Sequence, residues 1–257
     1  MKNSLREKIL HGEQPIGMFV GSGSAAVVEC LSRTGLDFVV IDNEHSPIEA
    51  ETSMELIRSA ELGGLVPLAR VREISRPAVL KLLDVGARGL IVPNVQSVDD
   101  VKKLISYAKY APVGDRGFCP TRKDGWGFDT AETVPQLMAR LNAETLLIPQ
   151  CETVGALNTI EDIAALDGVD GIFVGPFDLS ISMGLPGQFD HPDFTAAVDR
   201  IVKACHGAGK FCLFFGGTPE AVAEGFRRGF DGMAYSIDTV ALIKSVKADV
   251  DAIRKTM

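Results

Sequence analysis

Gly171-Ile172-Phe173-Val174-Gly175-Pro176-Phe177-Asp178-Leu179-Ser180 is the stretch on which the fold turns. It reads as a short apolar strand, a Gly-Pro break, and an acid opening a new turn. A buried strand that ends in glycine lets the backbone approach a ligand closely. Upstream, Thr145-Leu146-Leu147-Ile148-Pro149-Gln150 is a strand of the same kind, and Cys151-Glu152-Thr153 follows it. Glu152 and Asp178 then stand at the ends of neighbouring parallel strands, where two carboxylates can share one divalent cation. The same positions suit helix N-caps and first-turn acids. The stretch alone leaves both readings open.

Working outward, further apolar runs fall at 16–20, 37–42, 65–70, 89–93, 210–215 and 230–235. Helical patterns cover 1–13, about 24–34, 50–62, 75–84, 97–109, 130–142, 154–165, 193–207 and 218–228, and a last helix closes the chain. Near-continuous apolar strands are those of a parallel sheet buried on both faces. Eight strand–helix units in 257 residues predict an α/β fold, a TIM (β/α)8 barrel formed as a single domain over 1–257. A loop from Pro112 to about Pro135 is long enough to suggest a functional role.

Composition narrows the function. The net charge of −8 and the lack of a basic run argue against a nucleic-acid partner. No apolar run reaches membrane-spanning length, and residues 1–6 lack the apolar core of a signal peptide, so a cytoplasmic location is expected. The five cysteines include no CxxC pair, so neither a disulfide framework nor a zinc knuckle is indicated. Cys151 is expected to be a buried structural thiol.

Active sites of TIM barrels lie at the carboxyl ends of the strands. The polar residues expected there are Asp42, Glu44 and His45 after the second strand, Arg70 after the third, Gln150 and Glu152 after the fifth, and Asp178 after the sixth. His45 reads either as a loop histidine held by local hydrogen bonds or as an acid–base group. Arg70 reads as a partner for Asp42 or Glu44, as an oxyanion ligand, or as both. Asp84, at a helix end, reads from position alone as a solvated acid. Gly21-Ser22-Gly23-Ser24-Ala25-Ala26, with Asp42 ending the next strand, matches the dinucleotide fingerprint. It explains none of Arg70, Glu152 or Asp178, and a dinucleotide-binding oxidoreductase is the weaker reading. Schiff-base chemistry needs a lysine at a strand's carboxyl end. Lys210 begins a strand, most other lysines are on helices, and only Lys123 in the long loop could reach.

Several of these segments together resemble the HpcH/HpaI aldolases, the class II pyruvate aldolases. They are Val40-Ile41-Asp42-Asn43-Glu44-His45-Ser46-Pro47, Leu82-Leu83-Asp84-Val85-Gly86-Ala87, Gly114-Asp115-Arg116-Gly117, Gln150-Cys151-Glu152-Thr153 and the run from Gly168 to Ser180. The resemblance implies that Glu152 and Asp178 bind a divalent metal, Mg²⁺, Mn²⁺ or Co²⁺. It implies that His45 is the base, that Arg70 binds the substrate oxo group, and that Asp84 supports His45, within the chain or across a subunit boundary. It further implies a metal-stabilised enolate, a 2-keto acid and an aldehyde as substrates, and a homo-oligomer, commonly a hexamer built as a trimer of dimers. Gln150, Gly175, Phe177, Asp178 and Phe215 join Arg70 as expected substrate-binding positions, with backbone N–H groups of the Gly175–Asp178 turn offered to the substrate carboxylate. A citrate-lyase-β-like acyl-CoA lyase and a catalytically dead barrel are the alternatives.

The chain departs from the family pattern at Cys151, at Phe177, at Phe214-Phe215-Gly216-Gly217 and at Tyr235-Ser236-Ile237-Asp238. Side chains alternate along a strand, so only one of Phe214 and Phe215 can face the barrel mouth. With Phe19 it would form an apolar wall favouring short or uncharged aldehydes over succinic semialdehyde, unless Arg116 or Arg122 supplies a cation from a neighbouring subunit.

Overall fold

The computed structural model describes residues 4–128 and 131–257. The first three positions of the expected helix at 1–13, and residue 130 of the one at 130–142, lie outside the described residues. Eight parallel strands close into a barrel in sequence order. They are β1 (Ile16–Val20), β2 (Phe38–Asp42), β3 (Val66–Arg70), β4 (Gly89–Val92), β5 (Leu146–Cys151), β6 (Gly171–Val174), β7 (Phe211–Gly216) and β8 (Gly232–Ile237). The helices are α1 (Ser4–Leu10), α2 (Ala25–Leu31), α3 (Ala50–Gly63), α4 (Arg76–Asp84), α5 (Val98–Ala108), α6 (Val134–Glu144), α7 (Val154–Asn158), α8 (Ile160–Ala164), α9 (Pro176–Ser182), α10 (Pro192–Gly207), α11 (Pro219–Arg227) and α12 (Asp238–Thr256).

Strand alternation sorts the apolar residues into two concentric cores. Phe38 and Val40 of β2 point inward, with Leu68, Ile91, Ile148, Phe173 and Leu213 from other strands. Val39 and Ile41 point outward and pack with α3 and α4 through Leu56, Ile57, Val79 and Leu83. Leu5 of α1 is fully buried in the inner core, so α1 plugs the amino end of the barrel. The Arg6–Asp170 and Lys8–Asp37 ion pairs hold the plug in place. Gly17 and Gly171 are small because a Cβ on either would strike the ring of Phe38 or Phe211 on the adjacent strand.

Several elements differ from the sequence reading. The helix expected at 154–165 breaks at Thr159 (φ −120°, ψ 23°), whose hydroxyl bonds back to the Gly155 carbonyl. The eighth strand begins two residues later than expected, at Gly232. The turn after β6 is a short helix, α9, with Pro176 in its first turn and Asp178 as its first-turn acid.

Closure of the sheet also disposes of the dinucleotide reading. The backbone N–H groups of Gly21 and Ser22, and the Ser22 hydroxyl, donate to the buried carboxylate of Asp238. A carboxylate therefore takes the donors that a pyrophosphate would need. Among the described residues no helix is long and apolar enough to cross a membrane. Cys151 is buried, and burial pushes its thiol well above the usual range, as a structural cysteine requires.

Candidate active site

The carboxyl ends of β2 and β3 are coupled through one carboxylate. Asp42 and Arg70 are register partners. Arg70 donates to Asp42 from Nε at 2.9 Å and from Nη2 at 2.7 Å, a bidentate pair. Oδ1 of Asp42 also accepts the backbone N–H groups of Glu44 (3.1 Å) and His45 (3.3 Å). The loop is thus wound around the same carboxylate that fixes the guanidinium. Burial opposes charge on Asp42, but the Arg70 guanidinium outweighs it and holds the carboxyl below its ordinary value. Arg70 also lies 3.2 Å from Glu44 through Nη1 and stacks over the Phe19 ring at 4.9 Å. His45 projects from this loop with its side chain 64% exposed, its Nε2 at 3.7 Å from the Glu44 carboxylate.

The second half of the site comes from β4, β5 and β6. Glu152 accepts the Asn94 backbone N–H at 2.5 Å and the side-chain amide of Gln150. Asn94 has φ 54°, a left-handed conformation that asparagine tolerates and that turns its N–H toward Glu152. Burial raises the Glu152 pKa, the two donors oppose that, and Glu44 and Asp178 raise it further. Burial likewise raises Glu44. A Cβ at Gly175 would lie 2.7 Å from both Gln150 Nε2 and Glu152 Oε2, so glycine leaves the space in which that pair sits. Asp178, in the first turn of α9, completes the acidic group.

Two cavities meet here. One, of about 250 Å³, is bordered by Glu44, His45, Asn94, Glu152 and Asp178. The other, of about 220 Å³, is bordered by Phe19, Arg70, Gln150, Phe173, Phe177 and Phe215, together with His45 and Asp178. His45 and Asp178 line both. Phe215 faces the mouth, with its ring 5.9 Å from that of Phe19, whereas Phe214 packs outward on Phe230 at 4.6 Å.

The residues present fit a divalent cation. Burial first, and then the neighbouring acids, raise the proton affinity of Glu44 and Glu152 beside Asp178, and a dication relieves that repulsion. The buried Glu44 Oε2 and Gln150 Oε1 have no hydrogen-bond partner, which leaves oxygen donors to spare. No three His, Cys, Asp or Glu side chains converge tightly enough among the described residues to form a closed metal cage. An open site of two protein carboxylates is the arrangement that the sequence suggests.

Of the expected site residues, His45, Arg70, Gln150, Glu152, Gly175, Phe177, Asp178 and Phe215 therefore gather at one mouth. Asp84 does not join them within the chain. It ends α4, at the amino end of the barrel, where it pairs with Arg116 at 2.8 Å and Lys123 at 3.5 Å. The long loop follows α5 and lies at that same end. Arg122 pairs there with Glu61, and Lys123 donates to the Cys119 carbonyl, so no loop cation of the same chain reaches the mouth. Asn94 was missed by sequence reasoning. Its signal was Pro93-Asn94 at the carboxyl end of a strand, where a left-handed turn residue is informative. Asp42 and Glu44 were placed at the mouth as alternative partners of Arg70, and the guanidinium pairs with both.

Acids gathered beside a fixed guanidinium at a barrel's carboxyl end suit an enzyme that makes or breaks carbon–carbon bonds next to a carbonyl. The chain belongs to the HpcH/HpaI aldolase/citrate lyase family, whose model matches residues 15–245. It is 29% identical over 242 residues to a 2-keto-3-deoxy-L-rhamnonate aldolase of Escherichia coli O157:H7, covering 93% of this chain and 89% of that one. An HpcH/HpaI aldolase/citrate lyase family protein from Burkholderia cenocepacia J2315 superposes with a TM-score of 0.91 at 28% identity, over 98% of this chain and 99% of that one. The citrate synthase SbnG superposes with a TM-score of 0.88 at 28% identity, over 98% of both chains. The protein is accordingly a carbon–carbon lyase of the class II aldolase type, from a family that generally works with a divalent metal on small keto acids.

Proposed function

We propose that residues 1–257 act as one barrel unit in the cytoplasm, reversibly cleaving a 4-hydroxy-2-keto acid to pyruvate, or a close 2-keto acid, and an aldehyde. The observation that carries this reading is the pinned Glu152 carboxylate, held by Asn94 and Gln150 in one cavity with Asp178, which also borders the adjoining cavity of Arg70. Glu152 and Asp178 would hold Mg²⁺, Mn²⁺ or Co²⁺. When bound, the cation supplies Lewis acidity to the carboxylate and keto oxygen of the 2-keto acid.

The remaining work falls to the chain's own groups. Arg70, locked by Asp42, presents a fixed positive charge toward the keto oxygen, where negative charge grows as the C3–C4 bond breaks. His45, on the loop that Asp42 organises, takes the proton of the C4 hydroxyl in cleavage and returns it in condensation. The backbone of the Gly175–Asp178 turn receives the substrate carboxylate. An acyl-CoA substrate would need cations for its nucleotide phosphates, and among the described residues Arg70 is the one Lys or Arg side chain bordering the two cavities.

A homo-oligomer, a hexamer by family resemblance, is part of the same proposal. It is supported by α12, in which Leu242, Ile243, Val246 and Ile253 are all exposed on one long helix. Asp84 would support His45 only in such an assembly, from one copy to another. A sedimentation coefficient matching a single protomer would contradict it.

The test of the reaction is pyruvate release from a panel of 4-hydroxy-2-keto acids with each divalent salt. Release with at least one substrate, dependent on the salt, is expected; none with any pair would overturn the reading. Gly175→Ala gives a finer check. The added Cβ meets the side-chain ends of Gln150 and Glu152 at 2.7 Å and the Glu152 Cβ at 3.1 Å; the two ends can swing aside and the Cβ contact needs a shift of only a few tenths of an ångström, so the fold should persist while the Glu152 carboxylate is displaced. Half-maximal activity should then need about 10–100-fold more divalent salt. An unchanged requirement would contradict the placement of Glu152.

A further inference from the structure

Six phenylalanines form one connected path from the barrel interior to its rim. Phe173 meets Phe19 at 5.8 Å, Phe19 meets Phe215 at 5.9 Å, and Phe215 meets Phe177 at 6.5 Å. Phe177 then stands edge-on to Phe189 at 5.0 Å, and Phe189 leans on the buried Phe194 of α10 at 5.6 Å. Phe177 is 55% and Phe189 36% exposed. Single exposed rings are ordinary on a protein surface. These two are anchored to the core through their neighbours, and Phe177 borders the same cavity as Arg70, His45 and Asp178.

Charge points the same way. Among the described residues Arg70 is the only lysine or arginine on that cavity, and it is committed to Asp42 and Glu44. Arg116 and Arg122 are paired at the other end of the barrel. Within one chain, a carboxylate at the far end of an aldehyde would lie against rings and near Asp178, with no cation of that chain to receive it; a cation brought by a neighbouring copy together with its Asp84 is what the succinic semialdehyde arm of the experiment reads.

We propose that the aldehyde partner carries an apolar, aryl-sized group, and that Phe177 and Phe215 select it. The proposal rests on the aldolase reading above and narrows its substrate. In condensation, C3 of pyruvate loses a proton and bonds to the aldehyde carbon. The aldehyde oxygen gains a proton and becomes the C4 hydroxyl, and cleavage is the reverse. The distal ring would leave the reacting centre along Phe215 and Phe177, where edge and face contacts between rings add to apolar burial.

The experiment compares kcat/KM for benzaldehyde, glycolaldehyde and succinic semialdehyde, each with pyruvate and Mn²⁺, in wild type, Phe177→Ser and Phe215→Leu. Pyruvate C3 proton exchange without aldehyde is measured alongside. Benzaldehyde should exceed both other aldehydes by about 10-fold or more, and Phe177→Ser should erase most of that preference. Phe177 is more than half exposed, so its replacement should leave the fold intact. Exchange with no aryl preference, or a preference that survives both substitutions, would overturn this proposal alone. A wild type that does not exchange pyruvate protons would overturn the aldolase reading and this one with it.

Discussion

Arg70→Ala should lower both aldol cleavage and pyruvate C3 proton exchange by about 10²-fold or more. Both reactions pass through the same build-up of charge on the keto oxygen, so a residue that stabilises that charge must affect both. The substitution also strips the partner from two acids. Asp42 is buried, and Glu44 has a buried oxygen whose close cation is Arg70. Breaking a buried pair from one side costs about 3–5 kcal/mol, so the melting temperature should fall as well. Arg70→Lys separates the two effects. It restores charge but not the bidentate grip on Asp42, so stability should recover further than rate. Near-wild-type exchange in Arg70→Ala would remove Arg70 from the reaction.

His45→Ala should cost about 10²–10⁴ in cleavage rate and almost nothing in stability. Its side chain is mostly exposed, and its close ionic contact is Glu44 at 3.7 Å. The loop that carries it is wound on Asp42 by backbone N–H groups that the substitution leaves in place. The site should therefore remain assembled, and added imidazole should restore part of the rate. Cleavage at the wild-type rate would mean that another group moves the C4 hydroxyl proton.

The barrel was legible because its strands are buried on both faces and so read as unbroken apolar runs, separated by helices of ordinary length. The mouth followed from the rule that such barrels work at the carboxyl ends of their strands, where the structure also places Arg70, His45, Glu152 and Asp178. What the sequence hid is cross-strand. Nothing in the spacing of Asp42, Glu44 and Arg70 tells which acid holds the guanidinium bidentately; the β2–β3 register gives that place to Asp42, with Glu44 at the remaining nitrogen. Asn94 was hidden for a similar reason, since its contribution is a backbone N–H freed by a left-handed φ rather than a side chain. Asp84 is the converse case. Its motif is distinctive, but the helix runs antiparallel to the strands and delivers it to the far end of the barrel. Phe215 was half legible: alternation required one of two phenylalanines to face inward, and the register with β8 chose it.

The most direct measurement is a Mn²⁺ titration of metal-stripped protein, followed by calorimetry and by pyruvate C3 proton exchange, with Glu152→Gln and Asp178→Asn alongside the wild type. The wild type should show no exchange in excess EDTA, recover it fully on adding Mn²⁺, and bind one ion per chain. Both variants should lose that binding. Full exchange in EDTA, or Mn²⁺ binding undiminished in both variants, would contradict a metal-dependent site built on these two carboxylates.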